Sequence, residues 1–174
     1  CWAAAFLLAI ALTLGGANRK HVSPVDASIR ASMAREIVET GDLYPPKYDG
    51  EVLVDHPPLY IWATAASFKV FGTNDFAASL PGRLSAMGCL LLVFFIARRL
   101  GLSDFSAFLA TFILASTRDF ILISMQGGIE PLLSFWCWLE FFLLLVSLQS
   151  RKTYLEIFAG LCVVLAAFSK GPPA

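Results

Sequence analysis

Two polar stretches near the beginning of the chain have residue types that acid–base chemistry or anion binding requires. Asp26 follows an apolar segment, where a carboxylate could accept a proton from an incoming hydroxyl or amine. Asp26 also stands three residues after Ser23, so capping a helix and complementing its dipole is the alternative role. His56 precedes Pro57 and Pro58, and its ring could hydrogen-bond a phosphate or occupy an ordinary loop-to-helix junction.

A third candidate is Glu130, which stands where an apolar segment begins. Acids at membrane boundaries are costly unless they are solvated or paired, so Glu130 is either functional or a solvated acid at a helix start. Arg118 and Lys170 also flank apolar segments, where each could meet an anionic headgroup. For Arg118, a local ion pair with Asp119 is the alternative. Glu140 lies inside an apolar run, where pairing with another helix is the simplest explanation.

The composition indicates that lipid is the solvent for the elements that position these residues. The 174 residues are 57% hydrophobic and 15% charged, whereas soluble domains average about 45–50% apolar and about 25% charged residues. The net charge of zero gives no reason to expect a nucleic-acid partner. The four cysteines lie in apolar stretches without a C-x-x-C pair, which favours packing over metal or redox roles.

Five apolar segments predict an all-α, polytopic membrane protein. We expect membrane helices over residues 1–16, 83–98, 103–123, 130–149 and 153–169, and a long loop over residues 17–82. The first segment is shorter than the roughly 20 residues that a span requires. We therefore expect both chain ends to be truncated, with residues 1–174 forming the N-terminal part of one transmembrane domain.

Two basic pairs predict the orientation of the helices. Arg98 with Arg99, and Arg151 with Lys152, fall on the same side if the last four segments are alternating spans. The positive-inside rule makes that side cytoplasmic. The sequence therefore predicts a multi-pass protein of the cell membrane, the inner membrane in a Gram-negative cell. The long loop and its candidate residues then face the periplasmic or extracellular side.

Two further helices are expected within the long loop. Ile29, Met33 and Ile37 recur every four residues, which predicts an amphipathic helix that can lie on the membrane surface and stop at Gly41. Residues 59–71 form a weaker apolar run behind a pair of prolines, which predicts an interfacial helix. These helices would carry Asp26 and His56 at their beginnings.

Six short stretches, in the same order along the chain, resemble motifs of one enzyme family. It comprises the bacterial lipid-linked-sugar transferases related to aminoarabinose transferase and the protein mannosyltransferases, which have the GT-C fold. The family patterns that these stretches resemble are D-E…A-R-E-M-L-E-x-G-D at residues 26–42, K-P-P-L-x-x-W at 56–62, G…A-x-R-L-P-S-A at 71–86, a cytoplasmic loop at 97–101, D-x-x-L-x-F at 130–135 and T-K-G-P at 169–172. The resemblance implies a GT-C-like membrane domain with interfacial helices in its first outer loop.

The resemblance also implies an activity. An integral membrane glycosyltransferase of this kind moves a sugar from a polyprenyl-phosphate donor to a lipid, protein or glycan acceptor, with inversion at the anomeric carbon. Asp26 would be the catalytic base that activates the acceptor, and Glu130 a second catalytic acid that orients the acceptor or the loop. His56, Arg118 and Lys170 would bind the donor phosphate. An isolated piece of this length is expected to be inactive.

The chain departs from the family patterns at several positions. Ala27 follows Asp26 where the family has a second acid, and Arg30 stands where the family has Tyr. Glu130 takes the place of the commoner Asp, and His56 takes the place of a phosphate-binding Lys. Two of these differences, Glu130 and His56, fall on candidate site residues.

Two hypotheses from other functional classes stay open beside the transferase. A lipid or solute transporter, or a flippase, would use an intramembrane acid such as Glu140. A membrane scaffold would have no site. The sequence establishes no cofactor: the donor lipid is a substrate, and the need for a divalent metal, the donor sugar and the acceptor are left open.

Overall fold

The computed structural model describes residues 25–45, 47–49, 51–52, 57–126 and 128–170, with the backbone alone at residues 25, 26 and 47. Within these ranges the fold is that of an all-α membrane protein, as expected, with one small β-hairpin. The elements are α1 (Val25–Thr40), β1 (Lys47–Tyr48), β2 (Glu51–Val52), α2 (Pro58–Phe71), α3 (Asp75–Arg99), α4 (Asp104–Ser116), α5 (Arg118–Met125), α6 (Glu130–Ser150) and α7 (Tyr154–Lys170).

The apolar face predicted for α1 is present, and it packs against α2. Met33 and Ile37 are buried in one cluster with Ile61 and Phe68 of α2. The helix ends at Thr40, as predicted, because Gly41 adopts a φ of +82° and returns its amide to the Ile37 carbonyl at 2.9 Å. The apolar face of α1 is therefore covered by protein, where the sequence suggested that it could lie on the membrane surface.

A two-stranded hairpin follows α1. Strands β1 and β2 pair antiparallel, with Lys47 opposite Val52 and Tyr48 opposite Glu51. Asp49, directly after β1, has a positive φ of +53°, as tight hairpin turns often require. The loop before the hairpin is fixed to α2 by the Trp62 indole, which donates to the Leu43 carbonyl at 2.8 Å.

Helix α3 begins eight residues before the predicted start of the second membrane segment at residue 83. Asn74 caps it, with Oδ1 accepting from the Ala77 amide at 2.8 Å, and Asp75 complements the helix dipole in the first turn. The sequence placed residues 75–82 in the long outer loop, and in the structure they form the first turns of α3. The polar cap and Pro81 conceal the continuation of the helix from a search for apolar runs.

Pro81 lies inside α3 and joins this helix to α2. A proline has no amide hydrogen, so the carbonyl of Ala77, four residues earlier, loses its helical donor. The hydroxyl of Ser67 in α2 donates to that carbonyl at 2.7 Å. Both Ser67 and Pro81 are buried, and an unpaired carbonyl would be costly there. The hydrogen bond therefore stabilises the contact between the outer-loop helix and the spanning helix.

The third predicted segment, residues 103–123, is two helices and not one. Helices α4 and α5 meet at an angle of 64°. The Ser116 and Thr117 hydroxyls donate to the Ile113 carbonyl at 2.9 and 3.1 Å, which offers the backbone an alternative to continued helix. Thr117 is extended, with ψ at 123°. Side-chain competition for a backbone carbonyl is therefore the physical reason for the break.

Helices α6 and α7 form an antiparallel pair connected by a tight turn. Arg151 adopts a left-handed conformation and its amide bonds to the Ser147 carbonyl at 2.7 Å. The Ser147 hydroxyl contacts a Glu156 carboxylate oxygen at 2.9 Å. Farther along the pair, Glu140 lies within electrostatic range of Cys162, so this acid faces the neighbouring helix.

Two helices of the described part of the chain are long and apolar enough to cross a membrane, α3 and α6, and the bent α4–α5 pair makes a possible third. The basic loops lie at the same end of the bundle, because the Gln149 amide donates to the Arg99 carbonyl at 3.0 Å. We call this end, with Arg98, Arg99, Arg151 and Lys152, the basic end. The predicted segment 1–16 lies outside the described residues.

Candidate active site

At the end of the bundle opposite the basic end, Glu130 and Lys170 form an ion pair. Glu130 is the first residue of α6 and Lys170 the last of α7, so the antiparallel pairing of these helices brings them together. Lys170 Nζ lies 3.4 Å from Glu130 Oε1, and each side chain is about half exposed. Two residues predicted from sequence for different roles are therefore neighbours, and both are accessible to a ligand.

The second carboxylate oxygen of Glu130 lies over Gly128. A Cβ atom added at Gly128 would come within 2.6 Å of Glu130 Oε2, so only glycine leaves this oxygen in its present place. Gly82 of α3 faces the same connection: a Cβ added there would lie 3.3 Å from the Gly128 carbonyl oxygen. Small residues allow helix backbones to approach closely in membrane proteins. The two glycines therefore let the connection before α6 approach α3 closely, with the Glu130 carboxylate over Gly128.

Tyr60 of α2 completes this cluster from the outer loop. Its side chain is 2% exposed, and its hydroxyl lies 3.5 Å from the Ala78 carbonyl oxygen and against the Gly82 backbone. Burial raises the pKa of the Tyr60 phenol well above its usual range, Arg30 opposes that rise, and Glu130 adds to it. Tyr60 is therefore a neutral hydroxyl at physiological pH, within electrostatic range of a cation and a carboxylate.

Arg30 reaches the cluster from α1. Its guanidinium carbon lies 5.9 Å from the centre of the Tyr60 ring, and the residue is 8% exposed. Its Nε is buried without a hydrogen-bond partner among the described residues. Burying a charge costs several kcal/mol, and a desolvated cation–π contact returns about 2 kcal/mol. Arg30 is therefore a buried cation with a donor, Nε, that no described residue accepts.

The remaining predicted residues are placed as follows. Asp26 lies in the first turn of α1, four positions before Arg30, and its side chain is outside the described part. His56 also lies outside the described residues. Arg118 begins α5, is exposed, and makes no ion pair with another described residue. The structure thus joins Glu130 with Lys170, leaves Arg118 apart from them, and does not test Asp26 or His56.

Sequence reasoning assigned no role to Tyr60, Gly82, Gly128 or Arg30, although all four surround Glu130 or its neighbour. Tyr60 and Gly82 sit inside motif-like stretches, but a motif does not say which of its residues face a site. Arg30 was visible only as a departure from the family pattern. A charged residue on the same side of α1 as the apolar positions 33 and 37 was the available signal, because Arg is rarely buried without a partner.

The arrangement offers a carboxylate, two cations and a neutral phenol at one end of a membrane bundle. A half-exposed carboxylate can accept or orient a proton, and the cations can bind an anion. Among the described residues no three His, Cys, Asp or Glu side chains come together as a metal-binding group. The carboxylate and the cations present here are groups that acid–base chemistry and anion binding would use.

Three sequence comparisons show what the chain is similar to. The sequence profile of the dolichyl-phosphate-mannose-protein mannosyltransferases matches residues 55–174. An uncharacterized protein from Aquifex aeolicus is 27% identical over 145 residues, which are 83% of this chain and 29% of that protein. An undecaprenyl phosphate-alpha-4-amino-4-deoxy-L-arabinose arabinosyl transferase 2 from Pseudomonas fluorescens is 28% identical over 131 residues, 74% of this chain and 22% of that protein.

Two crystal structures have the same fold. ArnT from Cupriavidus metallidurans in the apo state superposes with a TM-score of 0.85 at 18% identity, covering 98% of this chain and 33% of that chain. The same protein bound to undecaprenyl phosphate gives a TM-score of 0.83 at 19% identity, covering 98% and 32%. The chain therefore spans about a third or less of the length of the proteins it matches.

Proposed function

Because this chain belongs to the dolichyl-phosphate-mannose-protein mannosyltransferase family, we propose that it is part of an integral membrane glycosyltransferase with a polyprenyl-phosphate-linked sugar as donor. The acceptor is a lipid, a protein or a glycan. The ArnT fold supports the proposal, as do two relatives: one is named for an undecaprenyl phosphate sugar, and the other is ArnT with undecaprenyl phosphate bound.

The observation that carries the proposal is the Glu130–Lys170 pair over the Gly82–Gly128 contact. It lies within the stretch matched by the family profile, and it places a fixed carboxylate next to a cation at a membrane boundary. A transferase that releases a lipid phosphate needs both, one to handle the acceptor and one to stabilise the leaving group. The pair is half exposed, so a phosphate can compete with Glu130 for the Lys170 ammonium group.

In the proposed reaction, the Asp26 carboxylate takes the proton of the acceptor hydroxyl or amine. The acceptor oxygen or nitrogen forms a bond to the anomeric carbon of the sugar. The bond between that carbon and the phosphate oxygen breaks, and the lipid phosphate leaves with the electron pair and with inversion of the sugar. Glu130 orients the acceptor or the loop, while Lys170, Arg118 and His56 bind the phosphate.

We further propose that the reaction takes place on the periplasmic or extracellular side of the membrane. The basic end, where Gln149 bonds to the Arg99 carbonyl, carries both basic pairs and is cytoplasmic by the positive-inside rule. Glu130 of α6 and Lys170 of α7 lie together at the helix ends farthest from the basic end. The outer-loop helix α2, which carries Tyr60, lies next to them. The site then faces the outer side of the cell membrane.

A transporter or flippase is the second candidate, and the bent α4–α5 pair favours it. Broken helices line the substrate sites of many transporters, and α4 and α5 meet at 64°. Glu140, the intramembrane acid that raised this alternative, faces Cys162 of α7. Uptake of a solute or lipid by vesicles that contain the full-length protein, without sugar transfer, would establish transport.

The test of the transferase uses the full-length protein in liposomes with a radiolabelled polyprenyl-phosphate sugar. Loss of label from the lipid is followed for wild type, Asp26→Asn and the control Glu39→Gln. Glu39 is an exposed acid near the other end of α1. Because general-base catalysis contributes about 10²–10⁴-fold, we expect Asp26→Asn to lose at least about 100-fold in turnover and Glu39→Gln to stay near wild type.

Each result has a definite meaning. Turnover by wild type that the Asp26→Asn change leaves intact keeps the transferase and moves the base elsewhere, with Glu130 the next candidate. Equal loss in Asp26→Asn and Glu39→Gln points to damage to α1 and gives no support for a base. No release of label with any donor and acceptor rejects the transferase and leaves transport as the leading function.

A further inference from the structure

We propose that Arg30 binds the phosphate of the donor lipid, as a phosphate ligand specific to this chain. The inference rests on the proposed function and adds to it a residue outside the three predicted phosphate ligands. Arg30 lies on α1 four positions after Asp26, so in a helix the two residues share a face. A phosphate held by Arg30 would therefore lie beside the proposed base, where the bond to the sugar must break.

The first argument is the burial of a charge with an unused donor. Arg30 is 8% exposed, and its Nε has no hydrogen-bond partner among the described residues. Buried polar groups in native proteins are almost always hydrogen-bonded, so an unused buried donor needs an explanation. A bound anion supplies one, because a phosphate can accept from several guanidinium N–H groups at once.

The second argument is what surrounds the guanidinium. Its central carbon lies 5.9 Å from the centre of the Tyr60 ring, within the range of a cation–π contact. A guanidinium has five N–H donors, and the face of an aromatic ring satisfies none of them with an oxygen or nitrogen acceptor. Tyr60 also lies within electrostatic range of Glu130, whose Oε1 pairs with Lys170. Arg30 and Lys170 therefore belong to one electrostatically connected group.

The alternative is that Arg30 only holds Asp26 in place. A residue four positions earlier on the same helix can form an ion pair with it. Such a pair would use at most part of the guanidinium fork, so it does not exclude a phosphate. The two roles differ in what the loss of Arg30 changes: a phosphate ligand alters the binding of the donor, whereas a support for Asp26 alters only the rate of the chemical step.

The experiment measures binding to the full-length protein in nanodiscs. The probes are undecaprenyl phosphate, undecaprenol and inorganic phosphate, and the variants are Arg30→Gln, Arg30→Lys and the control Arg35→Gln. Arg35 is an exposed arginine on the same helix. Because charge-assisted hydrogen bonds are strong, we expect Arg30→Gln to weaken undecaprenyl phosphate binding about tenfold or more. Arg30→Lys should restore part of the affinity, and Arg35→Gln should bind like wild type.

Binding of undecaprenol is expected to be equal in all variants, and inorganic phosphate is expected to bind far more weakly than the lipid. The proposal is overturned if Arg30→Gln binds undecaprenyl phosphate like wild type, or if it loses undecaprenol and undecaprenyl phosphate equally, which would show a structural role. Equal affinity for inorganic phosphate and the lipid would show that free phosphate, and not the donor, is the ligand.

Transfer kinetics separate this inference from the proposed function. A rise in the donor KM with little change in kcat for Arg30→Gln supports phosphate binding, and a fall in kcat with an unchanged KM overturns it in favour of a support for Asp26. If wild type transfers no sugar but binds undecaprenyl phosphate through Arg30, the transferase is rejected and the inference stands. If sugar is transferred and Arg30→Gln leaves the donor KM unchanged, the inference is rejected and the transferase stands.

Discussion

The charged groups at the two ends of the helical bundle are held by different kinds of contact. At the basic end, Arg98 pairs with Asp104 at 2.6 Å and its guanidinium also donates to the Leu102 carbonyl, within one short connection. At the other end, Arg30 lies 5.9 Å from the centre of the Tyr60 ring and Glu130 makes a 3.4 Å contact with Lys170, in each case between different helices. The pair at the basic end is closed within its own loop, while the longer, half-exposed Glu130–Lys170 pair leaves room for a ligand.

Backbone packing differs in the same direction. The basic end is made of short connections closed by local bonds, such as the Ser147 hydroxyl bond to Glu156 at 2.9 Å. At the site end, Gly82 of α3 meets Gly128, and Tyr60 comes from the outer loop. Groups distant in sequence are fixed together there. If the proposed function is correct, substitutions at the Glu130 end should lower turnover, and substitutions at the basic end should leave turnover largely unchanged.

The largest effect is expected at Glu130. Glu130→Gln removes the charge and keeps the size of the side chain, and its counterpart at the basic end is Glu156→Gln. Because one carboxylate in an acid–base site contributes about 10²–10⁴-fold, we expect Glu130→Gln to lower turnover by about 100-fold or more. Glu156→Gln should change it little. Turnover of the radiolabelled donor checks both, and equal losses would abolish the distinction between the two ends.

A smaller loss is expected for Gly128→Ala. The new Cβ would lie 2.6 Å from Glu130 Oε2, so the carboxylate must move. Because misplacing a reacting group by about 1 Å can cost about 10²-fold, we expect turnover to fall by about ten- to a hundredfold. Gly160→Ala in α7 is the control, because a Cβ there meets nothing within 4 Å. A Gly128→Ala enzyme as active as wild type would show that the position of Glu130 is unimportant.

Gly88 lies between the two ends of the bundle. We expect Gly88→Ala to lower the stability of the protein without lowering the turnover of folded protein. A Cβ on Gly88 would lie 2.5 Å from two carbons of the Phe135 ring, at the contact between α3 and α6. Overpacking of this kind costs about 1–3 kcal/mol. We expect a lower thermal unfolding temperature in detergent, partly recovered by adding Phe135→Leu. An unfolding temperature equal to that of wild type would show that Phe135 moves aside without cost.

The smallest effect is expected at the basic end. Arg151 and Lys152 are exposed, and exposed charges contribute about 0–1 kcal/mol to stability. Replacing both by Gln should leave turnover within about twofold in correctly inserted protein, since these side chains lie far from Glu130. Cysteine labelling from each side of the vesicle identifies the inserted fraction. A large loss of turnover in correctly inserted protein would show that the basic end takes part in function.

The sequence was sufficient to predict an all-α membrane protein, because apolar runs are local signals. The sequence was insufficient where the hydrogen-bond partner of a group lies far away along the chain. The start of α3 was missed because its cap, Asn74, and Pro81 are polar or helix-breaking in isolation, and Pro81 is tolerated through Ser67 of another helix. The bend after Ser116 was missed because hydroxyls that fold back on their own helix have no periodicity.

The candidate site residues, like the helices, were predicted from local signals. Asp26, Glu130, His56, Arg118 and Lys170 were chosen one at a time from their positions next to apolar runs. Only the antiparallel pairing of α6 and α7 shows that Glu130 and Lys170 meet. The contributions of Tyr60 and Gly82 depend on the packing of α2 against α3, which hydropathy does not encode.

The bond from Ser67 to the Ala77 carbonyl ties the outer-loop helix α2 to the spanning helix α3. Moving Ser67 away from α3 would leave the carbonyl opposite Pro81 without a donor. Tyr60 lies seven residues earlier, about 10 Å along the helix axis, and its hydroxyl meets the next carbonyl of α3, that of Ala78. Two turns of α2 are therefore fixed to successive carbonyls of α3, so we expect the outer-loop helix to follow any change in the tilt of the spanning helix.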